Sequence, residues 1–93
     1  MQIKIEITDL IDGAKSVYYS TPYVKMNRFR ENPDLEAARW AYARYRQNRF
    51  DTGFRDSEII EVIYNGDRNI TDLVKEMDDT FDLLKWRKEG YIK

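Results

Sequence analysis

The chain contains no cysteine and no histidine among its 93 residues. Without cysteine it forms no disulfides, and zinc, iron–sulfur and thiol chemistry that needs cysteine is excluded. Without histidine it lacks the one side chain whose ordinary pKa lies near neutrality. Serine–histidine, cysteine–histidine and histidine–metal catalysis are therefore excluded as well.

Glycine is scarce, and long apolar runs are missing. The four glycines are isolated from one another, so the sequence contains no glycine-rich phosphate loop. Residues 2–9 alternate between apolar and polar side chains, whereas a signal peptide needs an unbroken apolar stretch. No segment approaches the ~18 consecutive apolar residues of a membrane span. We therefore expect a cytoplasmic protein with no membrane partner.

Two acidic segments match metal-binding patterns only in part. Asp78, Asp79 and Asp82 form a D-D-x-x-D string, which in prenyl-transferring enzymes lies in a deep helical cavity that a chain this short cannot build. Residues 67–78 match an EF-hand loop at its first positions, but Asp72 stands where the loop needs glycine. We expect no metal, no cofactor and no catalytic residues, and hence no enzyme.

The composition is that of one folded domain spanning residues 1–93. Hydrophobic residues make up 42 % of the chain, aromatic residues 14 % and charged residues 35 %, which is too apolar for a disordered chain. A second domain would have no room for a core of its own.

The N-terminal third predicts a β-hairpin. Residues 2–9 alternate strictly, and residues 15–24 are β-branched and aromatic. A two-residue turn at Asp12-Gly13 would place the isoleucines of the first strand opposite Pro22, Ser20 and Tyr18. A three-residue loop with Gly13 in the left-handed region places Ile3, Ile5 and Ile7 opposite Thr21, Tyr19 and Val17. The second register also sets Asp9 across from Lys15, a favourable pair, and we predict it for that reason.

The rest of the chain predicts two helices and one strand. Residues 25–32 are a polar connection, and Asn32-Pro33 predicts the start of a helix over 33–50 that Thr52-Gly53 ends. Residues 58–64 are an apolar strand, followed by an Asn65-Gly66 turn. A second helix over 72–88 is capped by Thr71 or Asn69 and ended by Gly90.

The order β-β-α-β-α predicts an α+β fold. We expect a small three-stranded sheet, made of the N-terminal hairpin and the central strand 58–64, with both helices covering one face. One helix on each face is the alternative, and it would explain why strand 58–64 is apolar on both sides.

Each predicted helix carries an apolar stripe for the sheet and a tryptophan outside that stripe. At ~100° per residue, Trp40 and Phe50 fall on the charged side of the first helix, and Trp86 falls on the charged side of the second. A large aromatic side chain in a charged rim is the usual composition of an interface hot spot. The alternative is packing within the monomer, with Trp40 under residues 25–31 and Trp86 against the C-terminal tail.

Charge is segregated along the chain. Residues 25–55 hold eight basic and four acidic side chains, whereas residues 56–82 hold nine acidic and two basic ones. The two helices either pair these charges with each other or present them to a partner.

These features predict a non-catalytic protein-binding module. A motif-free domain with polarised charge is typical of small phage or mobile-element accessory proteins that inhibit or adapt a host nucleic-acid-processing complex, and its acidic face would then imitate nucleic acid. A homodimer is a further possible assembly. The predicted partner-binding residues are Trp40, Arg44, Gln47, Phe50, Asp78, Asp79, Asp82 and Trp86.

The alternative function is a small nucleic-acid-binding protein that uses helix 33–50. Guanidinium groups beside stackable rings hold phosphates and bases. Against this hypothesis stands the acidic pI of about 5.5. The residues concerned are Arg39, Trp40, Arg44, Arg46, Arg49 and Phe50.

Overall fold

The computed structural model describes residues 1–53 and 56–92. The described residues form four strands and four helices, so the predicted α+β class is confirmed. The predicted numbers of three strands and two helices are too low. Arg55, one of the basic residues counted above, lies outside the described residues. The elements are β1 (Ile5–Ile11), β2 (Ala14–Ser20), α1 (Met26–Glu31), α2 (Pro33–Asp51), β3 (Ser57–Tyr64), β4 (Arg68–Asn69), α3 (Thr71–Asp79) and α4 (Leu83–Glu89).

The sheet has the order β2-β1-β3-β4, and every neighbouring pair is antiparallel. Its helix-covered face buries Ile5 and Ile7 of β1 together with Val62 and Tyr64 of β3. The helices α2 and α3 pack on this face, as predicted, and against each other. The strand β4 was missed because two residues are too few for an alternating pattern to appear.

The hairpin register differs from the predicted one. Ile11 pairs with Ala14, so Asp12-Gly13 is a two-residue turn, and Ile7 pairs with Tyr18 rather than with Val17. Asp12 adopts a φ of 51° and Gly13 a φ of 82°, which is the left-handed pair that a type I′ turn requires. The predicted three-residue loop is therefore wrong. Asp9 lies opposite Ser16 instead of Lys15.

The segment predicted as a polar connection, residues 25–32, contains the short helix α1. Its N-cap residue, Lys25, makes no side-chain capping bond, so the start of this helix carries no sequence signal. Phe29 packs against the core with its ring centroid 6.4 Å from that of Tyr64. The helix forms because this apolar contact holds it against the domain.

The helix α2 begins and ends where the sequence predicts. The Asn32 side chain accepts a hydrogen bond from the Leu35 N–H at 3.2 Å, and Pro33 occupies the first helical position. Small residues along one stripe let the helix approach the sheet closely. The buried residues of α2 are Glu36, Ala37, Ala38, Ala41, Tyr42 and Tyr45.

The second predicted helix is divided. It breaks at residues 80–82, where the Asp82 side chain accepts hydrogen bonds from the N–H groups of Leu84 and Lys85 and so caps α4. The prediction of one continuous helix over 72–88 is therefore wrong. The end at Gly90 is confirmed, with a left-handed φ of 90°. Ile70 is the N-cap of α3, and the Asn69 side chain accepts from the N–H of Thr71.

Candidate binding groove

A groove of about 650 Å³ crosses the outer face of α2, the face that points away from the sheet. We call it the α2 groove. The end of β2 forms one border, and α4 with the residues after it forms the other. Of the residues that the structure describes, three arginines and no carboxylate line it. The lining residues are Ser20, Pro22, Trp40, Ala43, Arg44, Arg46, Gln47, Phe50, Leu83, Arg87, Tyr91 and Ile92.

The aromatic surface of the groove has a fixed part and an exposed part. Trp40 is half-buried, its ring meets that of Tyr91 edge-on at 4.9 Å, and its Nε1 donates to Glu36 Oε2 at 3.3 Å. Phe50 is 64 % exposed near the C-terminal end of α2. The indole therefore forms a rigid wall, and the phenyl ring presents apolar surface to a ligand.

Two of the three groove arginines lie over aromatic rings. The guanidinium carbon of Arg44 is 5.0 Å from the ring centroid of Tyr18, and that of Arg46 is 3.8 Å from the ring centroid of Phe81. Arg87 is exposed on α4. No carboxylate of residues 1–53 and 56–92 forms an ion pair with any of the three. Within the described part of the chain, the groove thus concentrates positive charge that no direct ion pair neutralises.

A buried carboxyl group fixes the ring beneath Arg44. Asp9 is fully buried, and its Oδ2 accepts a hydrogen bond from the Tyr18 hydroxyl at 3.0 Å. Burial, followed by the negative charge of Asp9, raises the pKa of Tyr18 far above its ordinary value. The phenol therefore stays protonated and keeps donating to Asp9, which holds the ring in place under the guanidinium.

A second buried carboxyl group fastens the C-terminal border of the groove. Glu36 is 1 % exposed and accepts hydrogen bonds from the Tyr91 hydroxyl and the Trp40 indole. The Arg28 guanidinium donates to the Tyr91 hydroxyl at 3.1 Å. Burial, together with the hydrogen bond to Glu36, raises the pKa of Tyr91. The border thus depends on the polar cluster of Glu36, Tyr91, Trp40 and Arg28, which no local sequence pattern predicts.

Four of the eight predicted partner-binding residues meet in the groove: Trp40, Arg44, Gln47 and Phe50. The other four do not line it. Asp78 Oδ1 accepts from the Tyr42 hydroxyl at 2.7 Å, and Asp82 caps α4. Asp79 is exposed at the end of α3. These three aspartates therefore lie outside the groove, although Asp78 shares the Tyr42 hydroxyl with the groove residue Arg46.

Trp86 is a core residue, contrary to its predicted position outside the apolar stripe. It is 8 % exposed, and its ring centroid lies 5.3 Å from that of Tyr42, 6.0 Å from Phe81 and 5.7 Å from Tyr91. The helical-wheel prediction for Trp86 failed because the helix break at residues 80–82 gives α4 its own direction. Packing of Trp86 within the monomer, against Tyr91 of the C-terminal segment, is the alternative that the structure shows, and Trp40 also contacts Tyr91.

The residues of the nucleic-acid alternative are also divided. Trp40, Arg44, Arg46 and Phe50 line the groove. Arg39 instead pairs with Glu36 at 3.8 Å, and Arg49 lies 6.0 Å from the Tyr45 ring with its Nε buried. Direct ion pairing between α2 and α3 is not observed among the described residues, where Arg46 reaches the Tyr42 hydroxyl at 3.5 Å instead.

Sequence reasoning missed both borders of the groove. One border comes from Ser20 at the end of β2 and from Pro22, and the other comes from Leu83 and Arg87 on α4 and from the last described residues. The one available signal was Asp82, an acidic residue directly before Leu83-Leu84, which fits the N-cap of a new helix.

The described residues offer no metal cluster and no membrane helix. Among residues 1–53 and 56–92, no three His, Cys, Asp or Glu side chains are grouped so that they can hold a metal ion. No helix in the same part of the chain combines the length and apolar character needed to cross a membrane. Comparisons with protein families, curated proteins and solved structures returned no match for this chain.

Proposed function

We propose that this chain is a non-catalytic protein-binding module whose partner docks in the α2 groove. The observation that supports this best is one groove whose described lining combines exposed apolar surface with three arginines and no carboxylate. Phe50 is 64 % exposed there, and Leu83 is 38 % exposed. The centres of protein interfaces are enriched in aromatic and arginine side chains and depleted in acidic ones, as this groove is.

The acidic residues of the predicted interface give the proposal less support. Asp78 and Asp82 already accept hydrogen bonds within the chain, from Tyr42 and from the first turn of α4. Each of these two carboxylates therefore has a structural explanation for its place. Imitation of nucleic acid by the acidic face stays a prediction, and so does an inhibitory or adaptor role toward a nucleic-acid-processing complex.

The test is affinity capture from an extract of the source organism with three forms of the protein. Phe50→Ala removes the most exposed ring of the groove and leaves the core intact, so capture of a true partner falls by about tenfold or more. Leu84→Ala is the matched control, because Leu84 is 77 % exposed and lies outside the groove. The proposal is wrong if every retained protein is retained equally by the wild type and by Phe50→Ala.

Nucleic-acid binding is the second candidate, because four of its six predicted residues line a groove whose described lining holds no carboxylate. Single-stranded oligonucleotides would stack on Trp40 and Phe50 and place phosphates near Arg44. Such binding weakens steeply as salt rises, and Arg44→Ala together with Arg46→Ala abolishes it. Absence of any mobility shift at low salt eliminates this candidate.

A further inference from the structure

We propose that the ligand of the α2 groove is a short acidic peptide segment carrying a bulky apolar side chain. This inference rests on the proposed function and names the chemistry of the partner. It commits to a segment of another protein, and nucleic acid is an outcome of the test below.

The charge of the groove selects for carboxylates. The lining residues that the structure describes include three arginines and no carboxylate. Arg44 and Arg46 are held by Tyr18 and Phe81, so their side chains are partly ordered before any ligand arrives. A ligand carboxylate therefore gains charge-assisted hydrogen bonds at a reduced entropic cost.

The apolar lining selects for a large side chain between those carboxylates. Phe50 and Leu83 expose apolar surface, and Ala43 leaves space between the larger residues that surround it. The volume of about 650 Å³ falls within the range of ~300–1,000 Å³ that small-ligand sites occupy. A groove of this size accommodates a few side chains of a segment rather than the flat face of a folded domain.

The surroundings of the groove favour a short acidic segment over a nucleic acid. The Asp51 carboxylate lies beside the groove residue Gln47, whose Nε2 donates to its Oδ1 at 2.9 Å. On the α3 side, Asp78 lies within hydrogen-bonding distance of Tyr42. A phosphate backbone that continues past the groove meets these carboxylates, whereas a peptide of a few residues ends before it reaches them.

The experiment is selection of short random peptides, displayed on yeast, against the wild-type protein. We expect the retained peptides to carry net negative charge and to contain phenylalanine, tryptophan or leucine. The most frequent peptide is then synthesised with a fluorescent label, and its affinity is measured by anisotropy. The pair Arg44→Gln and Arg87→Gln weakens binding by about tenfold or more. The control pair, Arg30→Gln and Lys88→Gln, removes the same charge outside the groove and leaves affinity unchanged within about twofold.

The outcomes separate this inference from the proposed function. Peptides that need Phe50 but are neutral or basic, or that ignore the Arg44 and Arg87 substitutions, overturn the acidic ligand and leave protein docking in the groove supported. Retention of no peptide, with tight binding of labelled oligothymidylate that Arg44→Gln abolishes, overturns both in favour of nucleic acid. Retention of neither probe overturns the peptide ligand, and the capture experiment with Phe50→Ala then decides the proposed function by itself.

Discussion

The hydroxyl of Tyr91 offers the sharpest test of how the groove is built. Tyr91→Phe keeps the ring, and with it the contact to Trp40, but removes the group that donates to Glu36 and accepts from Arg28. Glu36 is 1 % exposed, so water does not replace the lost donor without rearrangement. A buried hydrogen bond of this kind contributes about 2 kcal/mol to the free energy of unfolding.

In a domain of this size, a loss of about 2 kcal/mol lowers the melting temperature by roughly 10 °C. The assay is urea and thermal unfolding followed by circular dichroism. The control is Tyr23→Phe, the same chemical change at a tyrosine that is 75 % exposed, for which we expect a change below about 0.5 kcal/mol. Equal unfolding curves for the two variants refute the reasoning, because the Tyr91 hydroxyl would then be solvated rather than bound to a buried carboxyl group.

Three further substitutions test other contacts by the same unfolding assay. Asp82→Ala removes the cap of α4 and lowers the free energy of unfolding by about 1 kcal/mol. The control, Asp79→Ala, changes it by less than about 0.5 kcal/mol. Similar losses at both positions contradict the helix break. Trp86→Ala lowers the free energy of unfolding by about 3–5 kcal/mol, because the indole is a core side chain. A loss below about 1 kcal/mol contradicts its burial. Hydrogen bonds from Arg68, and to a smaller extent from Tyr64, lower the pKa of Asp34. The carboxylate therefore stabilises the fold above the ordinary carboxyl pKa of about 4, and this stabilisation is lost as the pH falls through the lowered pKa. Asp34→Asn therefore destabilises near neutral pH and matches the wild type in strong acid, and a difference that does not vary with pH contradicts this account.

The sequence predicts an element well where its signals are local. The start of α2 is an example, because Asn32 and Pro33 determine it without help from the rest of the fold. The hairpin is a counterexample. Both registers use Asp12 and Gly13, and the favourable Asp9–Lys15 pair points to the wrong one of the two. The fold instead buries Asp9 against Tyr18, a contact that becomes visible only when α2 covers that face.

The sequence predicts only the part of the groove that lies on α2, because only that part depends on a local pattern. Trp40, Gln47 and Phe50 lie on the outer face of one regular helix, and a helical wheel identifies that face. The two borders consist of residues far apart in the chain, such as Pro22 on one and Arg87 on the other. Only the tertiary packing brings them together. The wheel misplaced Trp86 because it assumed a helix without a break.

The helices lie on one face of the sheet, and this gives the domain two unlike sides. Side chains at alternate positions of β2, including Lys15, Val17 and Tyr19, point away from the helices, and Val17 and Tyr19 are 48 % and 53 % exposed. A cysteine introduced at Lys15, in a chain that has no other thiol, therefore provides a single attachment point. Immobilised through it, the domain lies with its uncovered strands on the support and presents the groove to the solution, which is the orientation that the affinity capture requires.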